Sequence, residues 1–248
     1  FSRTVTRPSF IEMAPFLYQE SYGSAQIRGN ADLQNGYNYN IDLRYELFEK
    51  NGDMLSITAY YKHLKAPIER VQTLSGGSAV HSFRNADNGM ATGVEIEFRK
   101  EIVKDLRFGV NGSYMYTNVK LPEGGAYTNS QRALQGASPY LANADLTYSP
   151  AFSNDRQLSV ALLYNLQGPR IHSVGISGLG DIKQQPVHTL NFTGSYRFNR
   201  RFAVKLQVND LLNQDILFKQ EVPTTGDKVE VERFRKGTGF EVGFSYDL

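Results

Sequence analysis

Nine stretches of this chain alternate apolar and polar residues one for one, and the connections between them alternate long and short. The last, Phe240–Leu248, sets Phe240, Val242, Phe244, Tyr246 and Leu248 against Glu241, Gly243, Ser245 and Asp247. Tyr37–Leu47, Met54–Leu64, Ala91–Arg99, Leu106–Asn118, Tyr140–Tyr148, Leu158–Leu166, Leu190–Phe198 and Phe202–Leu211 repeat the pattern. A period of two puts successive side chains on opposite faces, so each stretch reads as a strand with one apolar and one wet surface. Phe1–Arg7 alternates weakly up to Pro8 and reads as the stub of a tenth strand.

The connections decide which solvent the apolar faces meet. Phe48–Asp53 (carrying the hairpin pair Asn51-Gly52), Lys100–Asp105, Ser149–Asp155 and Asn199–Arg201 are short. Residues 8–36, the twenty or so after Pro67, 119–138, 168–186 and 212–237 are long and read as loops. Every long loop thus falls at one end of the sheet. Outer-membrane barrels are built this way, with short periplasmic turns and long extracellular loops. Segments of 9–13 residues also suit tilted strands that cross the hydrocarbon. Mean hydropathy is −0.42, and no apolar run approaches the roughly 18 residues of a spanning helix. The expected fold is an all-β, antiparallel transmembrane β-barrel.

Composition narrows the chemistry. Net charge is +2, which suggests no nucleic-acid partner, and the absence of cysteine removes disulfides, thiolate catalysis and Cys-based zinc sites. Fifteen Tyr and fifteen Phe suit a sheet at a half-wet interface. Phe1 opens the chain with no charged and apolar leader. The expectation is a fragment beginning inside a strand.

Several stretches resemble one family in their order along the chain. They are Arg3-Thr-Val-Thr-Arg-Pro-Ser-Phe-Ile-Glu-Met-Ala-Pro15, Tyr39-Asn-Ile-Asp-Leu-Arg-Tyr45, and Ala59-Tyr-Tyr-Lys62 running to Pro67-Ile-Glu69. Asn85-Ala-Asp87 leads to Gly93-Val-Glu-Ile-Glu97. Leu134-Gln-Gly-Ala-Ser-Pro-Tyr140 with Asn143, Val208-Asn-Asp-Leu-Leu-Asn213 and the terminal strand complete the set. This ordered set resembles the C-terminal half of the barrel of TonB-dependent outer-membrane transporters. The resemblance implies a barrel of 22 strands around an N-terminal plug, with residues 1–248 as its last ten and the plug and roughly twelve strands upstream. The chain departs from the family in ending at Leu248 rather than an aromatic residue.

Candidate sites are weaker. His63, His81, His172 and His188 lack metal-ligand spacing, and the three at strand ends or in loops read as solvated surface residues. No Ser, His and acid set stands at matching strand heights, so no catalytic, metal or cofactor site is expected and the chain reads as a non-enzyme. Gly76-Gly77 and Gly124-Gly125 lack the context of a phosphate loop. Asp42, Arg44, Glu46, Lys62, Glu95, Glu97, Arg99, Asp145, Arg197, Lys205, Glu241 and Asp247 fall on the wet faces and read as ion-pair networks facing water or a plug, with a substrate path as the alternative. Tyr18, Tyr22, Phe83, Arg84, Tyr127, Arg132, Arg170, His172, Phe218 and Phe234 are loop residues whose types suit ligand contact.

The functional expectation implied by the resemblance is active, TonB-driven uptake of a scarce nutrient across the outer membrane of a Gram-negative bacterium. The cargo would be a ferric siderophore, haem, a vitamin, an oligosaccharide or a peptide. Its partners would be membrane lipid or outer-leaflet lipopolysaccharide, its own plug and upstream strands, the TonB complex, the nutrient and a surface lipoprotein. A small complete barrel acting as a passive pore or enzyme, and a soluble all-β binding module, remain the competing readings. A ten-stranded piece has two unpaired edges, so it should be stable only when completed by further strands, a second copy or a larger assembly.

Overall fold

The computed structural model describes residues 1–19, 26–75, 78–121, 128–150, 152 and 155–246. Ten strands follow the alternating segments: β1 (Ser2–Thr6), β2 (Gly36–Phe48), β3 (Met54–Lys65), β4 (Asn88–Val103) and β5 (Leu106–Lys120). They continue with β6 (Tyr140–Tyr148), β7 (Gln157–Gln167), β8 (Val187–Arg197), β9 (Phe202–Asn209) and β10 (Gly239–Tyr246). Each pairs with the next in one antiparallel sheet, and the short strand Gln131–Arg132 adds to β5 off that path. The sheet is open: β1 and β10 end its order and do not pair with each other.

Register turns the alternation of single strands into two continuous surfaces. Leu43 stands opposite Ala59, Ala59 opposite Val94, Val94 opposite Tyr114, and Tyr114 opposite Tyr140. Further round, Phe108, Leu146, Leu162, Phe192, Val208 and Phe240 form one row. The apolar surface faces outward unclad: Leu43 is 75% exposed, Phe240 73% and Phe244 72%. In water such a patch would bind a partner or aggregate; in a bilayer it is the lipid-facing wall. A slip of one residue would exchange the two surfaces, so the register is strongly specified.

The wet face carries the inward charges on one side of the sheet. Arg44, Thr58, Glu95 and Ser113 form one row, and Glu46, Ser56, Glu97, Asn111, Asn143 and Asn165 the next. Close packing on this face uses glycine. A Cβ on Gly93 would lie 2.5 Å from both the Tyr60 hydroxyl and the Tyr114 carbonyl oxygen, so only glycine lets the Tyr60 ring lie across β4.

The short connections are tight turns. Gly52 takes φ +88°, and the Asn51 side chain accepts from Asp53 N–H at 3.1 Å. Asp53 Oδ1 accepts from Glu101 N–H at 2.9 Å, tying two neighbouring turns and holding the Asp53 carboxyl below its ordinary range.

At the opposite end the long connections are built structure rather than plain loop, which corrects the sequence expectation. Ile68–Ser75 and Ser78–Asn85 form a hairpin joined by Leu17–Tyr18 and Ile27–Arg28 into a four-stranded sheet. Arg170–Ser173, Ile182–Gln184, Ile216–Val222 and Asp227–Phe234 form a second. A one-turn helix, Phe10–Met13, starts at a Ser9–Glu12 capping box. Asp227–Phe234 escaped detection because it lacks a one-sided burial pattern: all of it is exposed. The buried cluster Val71, Ala86, Val119 and Leu121, with Leu134 against it, lies where the first cap meets the outer end of β5.

Candidate ligand-capture site at the outer rim

Two chemically distinct polar places stand out among the described residues. The first is the wet wall. Arg44–Glu46 and Arg99–Glu97 each close at 2.6 Å. An asparagine ladder crosses three strands: Asn165 Nδ2 donates to Asn143 Oδ1 at 2.5 Å, and Asn143 Nδ2 donates to Asn111 Oδ1 at 2.7 Å. Mixed, self-satisfied charge makes a polar lining without a concentrated field of either sign. The expected inward charges lie on this face, apart from Asp247, which falls outside the described residues.

The second is a recess of about 600 Å³ between the second cap and the rim, lined by Pro169 and Pro186 beside the ends of β7 and β8. Lys183, Lys219 and Lys228 line it with Asp181 and Glu221. Lys183 and Lys219 stand directly opposite one another across adjacent strands. Like charges in that position repel, and neither makes an ion pair among the described residues. Glu230, the register partner of Lys219, is engaged instead by Arg233 at 2.6 and 2.9 Å. Asp181 accepts from Gly175 N–H at 2.9 Å. Lys228 stands in register with Glu221, so the recess sets three lysines against two carboxylates, with Lys183 and Lys219 as the cations available to an anion. At the base of the adjoining hairpin, Asp215 pairs with Arg235, whose hydrogen bond holds the carboxyl below its ordinary range while burial pushes the other way.

The loop residues expected from type divide into three groups. His172, Phe218 and Phe234 come together: His172 meets Phe218 edge-on at 4.7 Å and Phe218 stacks on Phe234 at 6.1 Å. Arg170 donates to Gln184 at 2.7 Å in the same cap, while Tyr18, Phe83 and Arg84 belong to the first cap. Tyr22 and Tyr127, like Gly76-Gly77 and Gly124-Gly125, fall outside the described residues.

Arg132 is corrected outright. It is buried and paired with Glu69 at 2.9 Å, side chains 3% and 2% exposed. Burial pushes the Glu69 carboxyl above its ordinary value while Arg132 pulls it down. The pair clamps the first cap to the strand that rides on β5. His81 is likewise buried rather than solvated: Arg70 Nε donates to its Nδ1 at 2.7 Å, and Ser173 Oγ of the second cap lies 3.5 Å from its Nε2. The sequence reading missed Glu69 and the three lysines because nothing local distinguishes a clamp or a recess from a solvated charge.

A sheet that is apolar outside and polar inside, with the built caps among the described residues at one end, is the wall of an outer-membrane β-barrel. The chain belongs to the outer membrane protein beta-barrel family, whose model matches residues 1–246. No curated protein sequence matches it. Among solved structures it is similar to the ferric enterobactin receptor of Pseudomonas aeruginosa (TM-score 0.65, 18% identity), covering 98% of this chain and 37% of that one. It is similar also to a siderophore receptor of Acinetobacter baumannii (TM-score 0.63, 16% identity, 98% and 38%). A third is the ferric yersiniabactin uptake receptor of Yersinia pestis (TM-score 0.58, 17% identity, 86% and 30%). The fold likeness agrees with the sequence resemblance to TonB-dependent receptors, and these neighbours are receptors rather than enzymes. The chain spans 37% of the length of the first of them.

Proposed function

We propose that residues 1–248 form the C-terminal part of the wall and extracellular caps of a TonB-dependent receptor that takes up an anionic metal chelate, a ferric siderophore, across the outer membrane. The observation that carries this reading is the cationic recess at the rim, where Lys183 stands opposite Lys219. Unpaired lysines on a hydrogen-bonded cap attract a multiply charged anion. The mixed polar wall below it suits a lumen filled by a plug, which the TonB complex would move from the periplasm. The remaining strands and plug would lie elsewhere in the full-length protein and cover the open edges of β1 and β10. A surface lipoprotein is a further partner of this reading.

The test is uptake of radiolabelled ferric siderophores by iron-starved cells that express the full-length receptor. Lys183→Glu with Lys219→Glu should weaken capture about thirtyfold or more, since each lost charge near an anionic partner is worth about fivefold and reversal adds repulsion. A protonophore should abolish uptake. Uptake that survives the protonophore would make the barrel a passive pore, and unchanged capture by the double variant would remove the recess from the account.

A further inference from the structure

The two halves of the wet wall differ in their charge balance. On β2–β6 Arg44 and Arg99 are each taken by a neighbouring glutamate. Of the remaining inward charges there, Asp42, Glu95, Glu101 and Asp145 outnumber Lys62 and Arg107. On β7–β10 the balance reverses, with Arg197 and Lys205 against Glu241 alone among the described residues. An anion inside the lumen thus finds an excess of cations only on the second half, and walls of low dielectric focus that attraction.

Arg197 and Lys205 lie at the short-turn end of this half, in a recess of about 600 Å³. Lys205 stands opposite Ser195, two positions before Arg197, so the two cations are diagonal neighbours about 7–8 Å apart. Both are exposed, and neither makes an ion pair among the described residues. Gln157, Ser159, Ser195 and Ser245 line the same recess and add neutral donors, and no carboxylate lines it. Gly243 stands opposite Lys205, and a Cβ there would meet nothing nearer than 3.8 Å, which leaves room beside the ammonium group.

The capture recess at the rim adjoins the other ends of β7 and β8. Between the two recesses the inward lane of β8 reads Thr189, Asn191, Thr193 and Ser195, and its partner lane on β7 reads Asn165, Leu163, Ala161 and Ser159. From Val187 to Arg197 the strand runs about 33 Å. Over that length an anion meets no carboxylate that repels it and no cation that traps it, until it reaches Arg197 and Lys205.

We propose that Arg197 and Lys205, with Ser159 and Ser195, form a second anion-binding station on the lumen wall, reached by the anionic chelate along the neutral lane of β7 and β8. The proposal rests on the uptake reading and adds the side of the wall that the cargo follows.

The experiment measures surface capture in the cold and energised uptake at growth temperature, using a radiolabelled, negatively charged ferric tricatecholate and iron-starved cells that express the full-length receptor. Arg197→Gln with Lys205→Gln should leave capture unchanged and lower the maximal uptake rate about twenty-five-fold, roughly fivefold for each charge, the upper end for a wet ion pair. Arg197→Lys with Lys205→Arg keeps both charges and should restore the rate. Thr193→Asp, which sets a carboxylate in the lane, should slow uptake about fivefold. Single Arg197→Gln and Lys205→Gln variants, each about fivefold slower, carry the test should the double variant not fold. Capture reports the rim recess and the maximal rate reports the station, so failure of one reading is distinct from failure of the other. An unchanged maximal rate in the folded Gln variants, or a loss of capture in its place, would overturn the proposal. So would a slower rate accompanied by a lower denaturant midpoint of the protein in micelles, which would make the pair a plug contact.

Discussion

Replacing Arg132 by Met tests the clamp between the first cap and the wall. The parent buries both charges almost completely, with 3% and 2% of the side chains exposed and a separation of 2.9 Å. Removing one member of such a pair typically costs about 3–5 kcal/mol, because the other is left charged in a dry site. Local opening of the cap should therefore rise about 150-fold to 5000-fold, read as lost hydrogen-exchange protection over residues 68–85 and 128–138 of the detergent-solubilised protein. Exchange within the wall strands should be unchanged. The double variant Glu69→Leu with Arg132→Met should regain parental protection, since a well-packed apolar pair is often neutral or better than a buried ion pair. The pH dependence has a defined sign. Burial holds the Glu69 carboxyl above its ordinary value of 4.5, so the folded cap keeps a proton that the opened cap has released. The cap is then most stable below 4.5 and loses stability as pH rises through the raised value. Arg132→Met should deepen that loss because the opposing pull is gone. Parental protection in Arg132→Met, or a loss in the double variant as large as in the single, would refute the clamp.

Other substitutions probe the wall. Gly93→Ala should lower barrel stability by about 1–3 kcal/mol, as overpacking does: the new Cβ meets the fixed Tyr114 carbonyl oxygen as well as Tyr60. A denaturant titration in micelles reads this, and Gly243→Ala, with nothing nearer than 3.8 Å, is the tolerant control. Leu43→Lys, on the outward face, should cost about 2–4 kcal/mol if it lies near the bilayer midplane, whereas Arg44→Leu next to it should cost far less; refolding into vesicles measures both.

The wall was legible in the sequence because lipid on one side and water on the other write a period of two into every strand. Tyr140–Tyr148 was bounded to the residue, and Gly239–Tyr246 to within one residue at its start. Strands such as Asn88–Val103 ran on beyond the alternating core because the pairing continues after the apolar signal stops. The caps were not legible. Ile68–Ser75 mixes Glu69 and Val71 on its buried side, since a charge clamped to Arg132 packs where an apolar residue was expected. The recess needed tertiary information, because Lys183 and Lys219 are separated by 36 positions and meet only through strand register. His172, Phe218 and Phe234 were picked by type alone; their assembly into one stack was a product of the fold.

The central claim is that the two faces of one sheet meet lipid and water respectively. The chain has no cysteine, so single cysteines can be introduced at Leu43, Arg44, Val94, Glu95, Leu206, Lys205, Val242 and Gly243 and carry nitroxide labels in the full-length protein in bilayers. The account predicts high oxygen and low nickel-chelate accessibility at 43, 94, 206 and 242, with the accessibility to oxygen falling at 44, 95, 205 and 243. Loss of that alternation, or ready nickel access at 43, 94, 206 and 242, would contradict a membrane-spanning wall.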